Sequence, residues 1–182
     1  MHEQMRAGDE VGAGGGSPAR PAHQARPAQQ AADRPDLATR FLELHRPGDP
    51  LLIPNPFDEG SARLLAHLGF EALATTSSGC AASRGLLDGS VSRDDALAHA
   101  ALIAAATELP VSADLENGFA RQPDEVAETY RLARETGLAG ASIEDYDPET
   151  GELYDIGLAT ERVAAAAEAS HSGRPGGGRL VL

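Results

Sequence analysis

Residues 111–118 read VSADLENG. A run suited to a buried strand ends in two carboxylates, Asp114 and Glu116, one residue apart, and an Asn-Gly turn follows. Acids placed where a buried strand runs out need a partner or a purpose, because burying a charge without one is costly. The bland alternative is a strand end that simply meets solvent.

Working outward from 111–118, the hydrophobic period switches repeatedly between strand and helix. LLI at 51–53 reads as a short apolar strand. A helix follows in PFDEGSARLLAHLG, with Leu64, Leu65 and Leu68 expected inward and Gly69 at its end. EALATT at 71–76 is the next strand, and residues 92–108 are a helix capped by Ser92 with two acids in its first turn. After the strand that ends at Asp114 come a helix at 123–137 with Pro123 at its start, a strand at 138–145, a helix at 154–170 and a strand beginning in GGRLVL at 177–182. Short apolar strands alternating with helices make a parallel sheet built from βα units, four of them and a fifth strand. Ahead of these, DLATRFLELHRPG reads as a capped helix with Leu37, Phe41 and Leu44 on one face.

Composition bounds the rest. The chain has 182 residues, a net charge of −13 and 41% hydrophobic residues; its fifteen basic residues are all Arg. Residues 1–34 are rich in Gly, Ala, Pro and Gln without a hydrophobic period and are expected to be a disordered tail, with the folded domain over 35–182. The acidic balance argues against nucleic acid and against an anionic membrane surface as partners. One cysteine, Cys80, excludes an internal disulfide framework and fits a cytoplasmic setting. No apolar run is long enough to span a membrane.

Parallel βα folds place their chemistry at the carboxyl ends of the strands. The residues there are Asn55; Ser78, Gly79 and Cys80; Asp114 and Glu116; and Glu144. Asp88 joins them from the loop after the second strand, unless it is only a turn residue in LDG. Four carboxylates brought together must share a proton or hold a cation. Oxygen ligands without His or Cys suit Mg²⁺ or Mn²⁺. On this reading Asp114, Glu116 and Glu144 meet in one metal-sized site with Asp88 nearby. Cys80 reads as a small buried or loop residue rather than a nucleophile.

The segments IPNPFDEGSARLLAHLGFEALATTSSG, SADLENGFA and ASIED, in this order and spacing, resemble the isocitrate lyase/phosphoenolpyruvate mutase superfamily over residues 51–169. The resemblance implies a (β/α)₈ TIM-barrel type of fold. It implies Mg²⁺ and a small α-oxo acid, oxaloacetate- or pyruvate-like, handled through its enolate, with a C–C or P–C bond made or broken beside the carbonyl. By position, Asp114 resembles the direct metal ligand, Glu116 stands where the family often has a second Asp, and Glu144 resembles the third acid. Asp88 resembles the acid that reaches the metal through water, with a catalytic role. Ser78, Gly79 and Cys80 resemble the residues whose amides and hydroxyl hold the substrate carboxylate and oxyanion, with Asn55 beside them.

The chain also departs from the family pattern. It lacks the Lys-x-Cys-Gly-His lid of the lyases and the Lys residues that follow IED in the mutases, and its fifth strand is only begun. The expectation is therefore the N-terminal half of a barrel, with decarboxylase, hydrolase or lyase chemistry. Family barrels form homo-oligomers. A truncated, inactive family fragment and a small open α/β binding protein stay open as alternatives. In such a half barrel Leu73, Val111, Ala113 and Ile143 are expected to line an inner face without an opposite wall.

Overall fold

Three short parallel strands carry the sheet: β1 (Leu73–Ala74), β2 (Val111–Asp114) and β3 (Gly140–Ser142), side by side in that order. Leu73 pairs with Val111, Ala113 with Ala141, and Asp114 with Ser142. The computed structural model describes residues 36–172 and 178–182; the tail expected over 1–34 lies outside the described residues.

Side chains alternate along each strand. Leu73, Val111, Ala113 and Ala141 are buried, and they pack in one core with Ala62, Ile103, Val126, Tyr130 and Ala166 from the surrounding helices. The opposite face carries Ala74, Ser112, Asp114 and Ser142, all of them small or polar. This corrects the expected inner face. Leu73, Val111 and Ala113 turn toward the helices and are at most 1% exposed, while Ile143 is half-buried against the same core.

The helices are placed by their caps. α1 (Leu37–Leu44) starts at Asp36, whose carboxylate accepts from the Ala38 amide. α2 (Glu59–His67) starts with a reciprocal capping box between Asp58 and Ser61. The inward stripe of α2 is narrower than its leucines suggest. Ala62 is fully buried and Leu65 is packed against the core, whereas Leu64 and Leu68 are exposed. α4 (Arg93–Ala105) is capped by Ser92 with Asp94 and Asp95 in its first turn, and α5 (Pro123–Ala133) has Pro123 in the first turn. A 3-10 turn, Arg134–Thr136, and left-handed Gly137 end that segment. α6 (Ile156–His171) packs along α5, with Ala159, Ala166 and Ala169 buried.

Two elements were not foreseen. Residues 77–83 form a short helix, α3 (Ser77–Ser83), rather than a loop. An antiparallel hairpin, β4 (Tyr146–Asp147) with β5 (Glu152–Leu153), follows β3. Two predicted strands are reduced to single contacts. The 51–54 segment touches the sheet through one bond, from the Ala74 amide to the Pro54 carbonyl at 3.1 Å. Pro50, Pro54 and Pro56 have no amide hydrogen to extend that ladder. At the other edge Val181 forms one parallel bridge with Gly140, donating to Ala139 O and accepting from the Ala141 amide, both at 2.9 Å. Among the described residues no helix is long and apolar enough to cross a membrane.

α1 closes the amino end of the sheet. Phe41 packs with Ala72 and Ala139, where β1 and β3 begin, and Leu37, Leu44 and Val181 border the same cluster. This contact requires Gly140. A Cβ there would lie 2.8 Å from Phe41 Cε1 and 3.0 Å from the Val181 carbonyl oxygen. Gly140→Ala is expected to cost ~1–3 kcal/mol of unfolding free energy, the range for overpacking a filled core. Urea denaturation measures this, and a Phe41→Leu/Gly140→Ala double variant is expected to recover part of the loss.

Candidate functional site

Asp114 is the last residue of β2, and its carboxylate is fixed by the backbone. Oδ2 accepts from the Ser77 amide at 2.9 Å, and Oδ1 accepts from the Glu116 amide at 3.0 Å. Its own amide donates to the hydroxyl of buried Thr75 at 3.1 Å. A carboxylate accepting two amide hydrogens is oriented before any ligand arrives, and such charge-assisted bonds are stronger than neutral ones.

The chain then turns through a left-handed residue, Glu116, with φ 47°. A side chain with a Cβ adopts this conformation at a cost of roughly 1–2 kcal/mol. The Glu116 amide bond to Asp114 holds it there, as does the Glu144 amide, which donates to the Glu116 carbonyl at 2.8 Å. The ends of β2 and β3 are thereby tied together.

A cleft of ≈ 260 Å³ opens at this end of the sheet, lined by Ser77, Asp88, Glu116, Asn117, Glu144 and Tyr146 among others. Its acids perturb one another. Partial burial raises the Glu116 carboxyl above the ordinary glutamate value, and the charges of Asp114, Asp88 and Glu144 raise it further. Glu144 is raised in the same way, by burial first and then by Asp114, Asp88 and Asp145. The four acids foreseen from the sequence therefore share one electrostatic neighbourhood.

They do not form one coordination cage. Among the described residues no group of three or more His, Cys, Asp or Glu side chains is placed to hold a metal ion. Both oxygens of Asp114 already face amides, and the other acids stand around the cleft. The donor chemistry still fits a hard divalent cation. Mg²⁺ keeps several waters and is commonly bound by only one or two carboxylates, and a cation here would relieve the mutual repulsion that raises Glu116 and Glu144.

The other predicted residues divide by what they already bond. Asn55 Nδ2 donates to the Ala74 carbonyl at 2.9 Å, so this side chain braces β1. The Gly79 amide donates to Thr76 Oγ1 at 3.2 Å, and the Cys80 amide donates to the Thr76 carbonyl at 3.0 Å. Those two amides cap α3 and are not free for an oxyanion. Ser78 is exposed, with its hydroxyl 3.1 Å from Thr76 Oγ1. Asp88 is exposed on the cleft wall, where its carboxylate accepts from the Gly89 amide at 3.1 Å. Cys80 is buried, and burial pushes its thiol up, against the smaller opposing effect of Arg84.

The sequence reading missed a buried network beside the cleft. Arg162 of α6 is 1% exposed and donates to the carbonyls of Asn117, Ala120 and Arg121. Tyr154 lies under its guanidinium and accepts a hydrogen bond from Asn117 Nδ2. Arg121 pairs with buried Asp147 of the hairpin. A signal was available, since Arg162 shares a helical face with Ala159, Ala166 and Ala169, the face that small residues mark as buried.

Comparison with known proteins settles the family. The phosphoenolpyruvate phosphomutase family model matches residues 41–175. The chain belongs to the PEP mutase/isocitrate lyase superfamily. A putative lyase/mutase from Burkholderia cenocepacia J2315 superposes with a TM-score of 0.72 at 52% identity, over 75% of this chain and 50% of that one. A solved 2,3-dimethylmalate lyase of this superfamily gives a TM-score of 0.67 at 33% identity, over 74% and 48%. The 2-methylisocitrate lyase of Halalkalibacterium halodurans is 34% identical over 118 residues, 64% of this chain and 39% of the relative. The chain thus spans about half the length of the relatives it matches. Its α/β architecture is that of half a (β/α)₈ barrel, with a parallel bridge from Val181 beside β3 and one bond from Pro54 beside β1.

The raised carboxyls fix the sign of a pH effect. Glu116 and Glu144 hold protons more tightly in the folded chain than in the unfolded one, so their contribution to stability is full below the ordinary value of 4.5 and is lost as pH rises through the raised values. Thermal unfolding at a series of pH values is expected to show stability falling across this window in the metal-free protein. Glu116→Gln is expected to flatten that slope, and Mg²⁺ to offset the loss above it.

Proposed function

We propose that this superfamily chain carries the acid-bearing part of a lyase- or mutase-type active site for a small α-oxo acid, oxaloacetate- or pyruvate-like. The reaction class is cleavage beside the carbonyl, by C–C lyase, decarboxylase or hydrolase chemistry. The observation that carries the reading is Asp114. Its carboxylate is oriented by the Ser77 and Glu116 amides at the carboxyl end of a parallel strand, beside a cleft shared with Asp88, Glu116 and Glu144.

The residues that would hold Mg²⁺ or Mn²⁺ are Asp114 directly, with Asp88, Glu116 and Glu144 through water. A bound divalent cation supplies an electrophile for the oxygens of the oxo acid and for the negative charge that develops on its carbonyl. Asp114 then serves as the fixed point of the site. Glu116 and Glu144, whose carboxyls are raised by burial and by the neighbouring acids, contribute to the charge of the cleft. The exposed Ser78 hydroxyl is the donor of the 78–80 segment that remains available to a substrate carboxylate. Buried Cys80 takes no chemical part and accords with a reducing, cytoplasmic setting. The names of the lyase relatives support the reaction class, and the family resemblance, with an oxaloacetate acetylhydrolase among the similar structures, supports the substrate class.

A second reading is favoured by the open side of the sheet. Tyr146, Leu153, Ile156 and Val163 are exposed there, beside a groove that also takes in Ile143 and Ala159. In that reading the cleft binds metal, but turnover needs further polypeptide against this face.

Purified chain assayed on oxaloacetate with Mg²⁺, Mn²⁺ or EDTA tests both. Turnover is expected to vanish with EDTA and with Asp114→Ala, and to stay within about threefold in Cys80→Ala, a volume-reducing change away from the cleft. In electron paramagnetic resonance titrations Asp114→Ala is expected to weaken Mn²⁺ binding by at least about tenfold. Asp114-dependent Mn²⁺ binding without turnover supports the second reading. A folded chain that neither binds Mn²⁺ nor turns over sinks both.

A further inference from the structure

The loop that presents the cleft acids, residues 115–121, is left-handed at Glu116 (φ 47°), Gly118 (φ 74°) and Phe119 (φ 56°). Gly118 accepts this conformation freely; a Glu and a Phe do not, and they stay there only if their surroundings impose it. The surroundings converge on one side chain. Arg162 Nη1 donates to Ala120 O at 2.5 Å and to Arg121 O at 2.7 Å, and Nη2 donates to Asn117 O. The guanidinium carbon sits 3.9 Å from the centre of the Tyr154 ring. Tyr154 Oη accepts from Asn117 Nδ2 at 2.9 Å, and Asn117 Oδ1 accepts from the Phe119 amide at 3.1 Å. Asn117, the residue after Glu116, is therefore gripped through both its main chain and its side chain.

The direction of these bonds matters. Three carbonyls of the loop turn inward to a single cation, and a planar guanidinium with five donors is the side chain suited to that fork. A Lys could satisfy only part of it. With its carbonyls drawn toward α6, the loop presents Glu116 and Asn117 to the cleft instead.

We propose that Arg162 is a positioning residue for the cleft: it sets the left-handed turn that places Glu116 and Asn117 there, acting through the loop backbone and without touching substrate. Tyr154 assists by stacking under the guanidinium and holding the Asn117 amide. The proposal rests on the cleft being the functional site argued above.

The test uses the 182-residue chain with Arg162→Met, Arg162→Lys and Tyr154→Phe. Amide hydrogen exchange is read residue by residue, and Mn²⁺ affinity by electron paramagnetic resonance. Arg162→Met is expected to speed exchange of the Gly118 and Glu144 amides by at least about tenfold while the Thr75 and Ala139 amides of the sheet change by less than about threefold. It is expected to weaken Mn²⁺ binding by at least about tenfold, the loss typical of removing an outer-shell support. Arg162→Lys is expected to fall between Met and wild type, and Tyr154→Phe to shift both readouts less, in the same direction. Loop and sheet amides accelerating together overturns the proposal, because Arg162 is then only a stability residue. Unchanged Mn²⁺ affinity in folded Arg162→Met also overturns it. If Arg162→Met does not fold, the Lys and Tyr154→Phe variants decide by the same criteria. If the wild type binds no Mn²⁺, the reading of the cleft fails on its own, and loop exchange alone decides whether Arg162 sets the turn.

Discussion

One carboxylate at the end of the central strand organises the functional end of this molecule. Asp114 accepts from Ser77, the first residue of α3, and from Glu116, the first left-handed residue of the turn. A bond from a neutral donor to a charged acceptor contributes ~1.5–3 kcal/mol. Here one of them joins segments 37 residues apart in sequence, and the other closes a turn two residues on. The start of α3, the turn after β2 and, through the Glu116 carbonyl, the beginning of the 144–147 segment all follow from that anchor. Because the anchor is charged, it also raises the neighbouring acids. One side chain thus joins the turn to α3 and adds its charge to the acids beside it.

The βα rhythm could be read from the sequence because it is written in periodicity, and helix starts such as Asp58-Ser61 and Ser92 are local signals. The acids at the strand ends were legible for a topological reason: a parallel sheet sends the carboxyl ends of its strands to the same side. Long-range geometry was not legible. Whether Leu73 faces inward or toward the helices depends on strand register, which no single strand encodes. Gly79 and Cys80 looked like free loop amides because the Thr76 cap, and with it α3, follows from one side-chain oxygen. Arg162 was hidden for the same kind of reason. Its partners are backbone carbonyls more than 40 residues away, and a carbonyl has no sequence signature.

The family relationship and the cleft chemistry point the same way from independent directions. The chain matches proteins named as lyases or mutases over about half of their length. The cleft gathers Asp88, Glu116 and Glu144 beside the oriented carboxylate of Asp114 at the carboxyl end of the strands. Glu116 is a poor choice for a left-handed turn, and it is held there by the Asp114 carboxylate two residues before it and by the Glu144 amide.

The position of Phe41 sets a depth. Its ring crowds Gly140, which pairs with Ser112, two residues along β2 from Asp114. At ~3.3 Å per residue, the distance along the strand from the Asp114 level to this aromatic floor is ~6.6 Å. The ring on the first helix thus fills the sheet from below at that level, at the end farthest from the acids, and leaves Gly140 no room for a side chain.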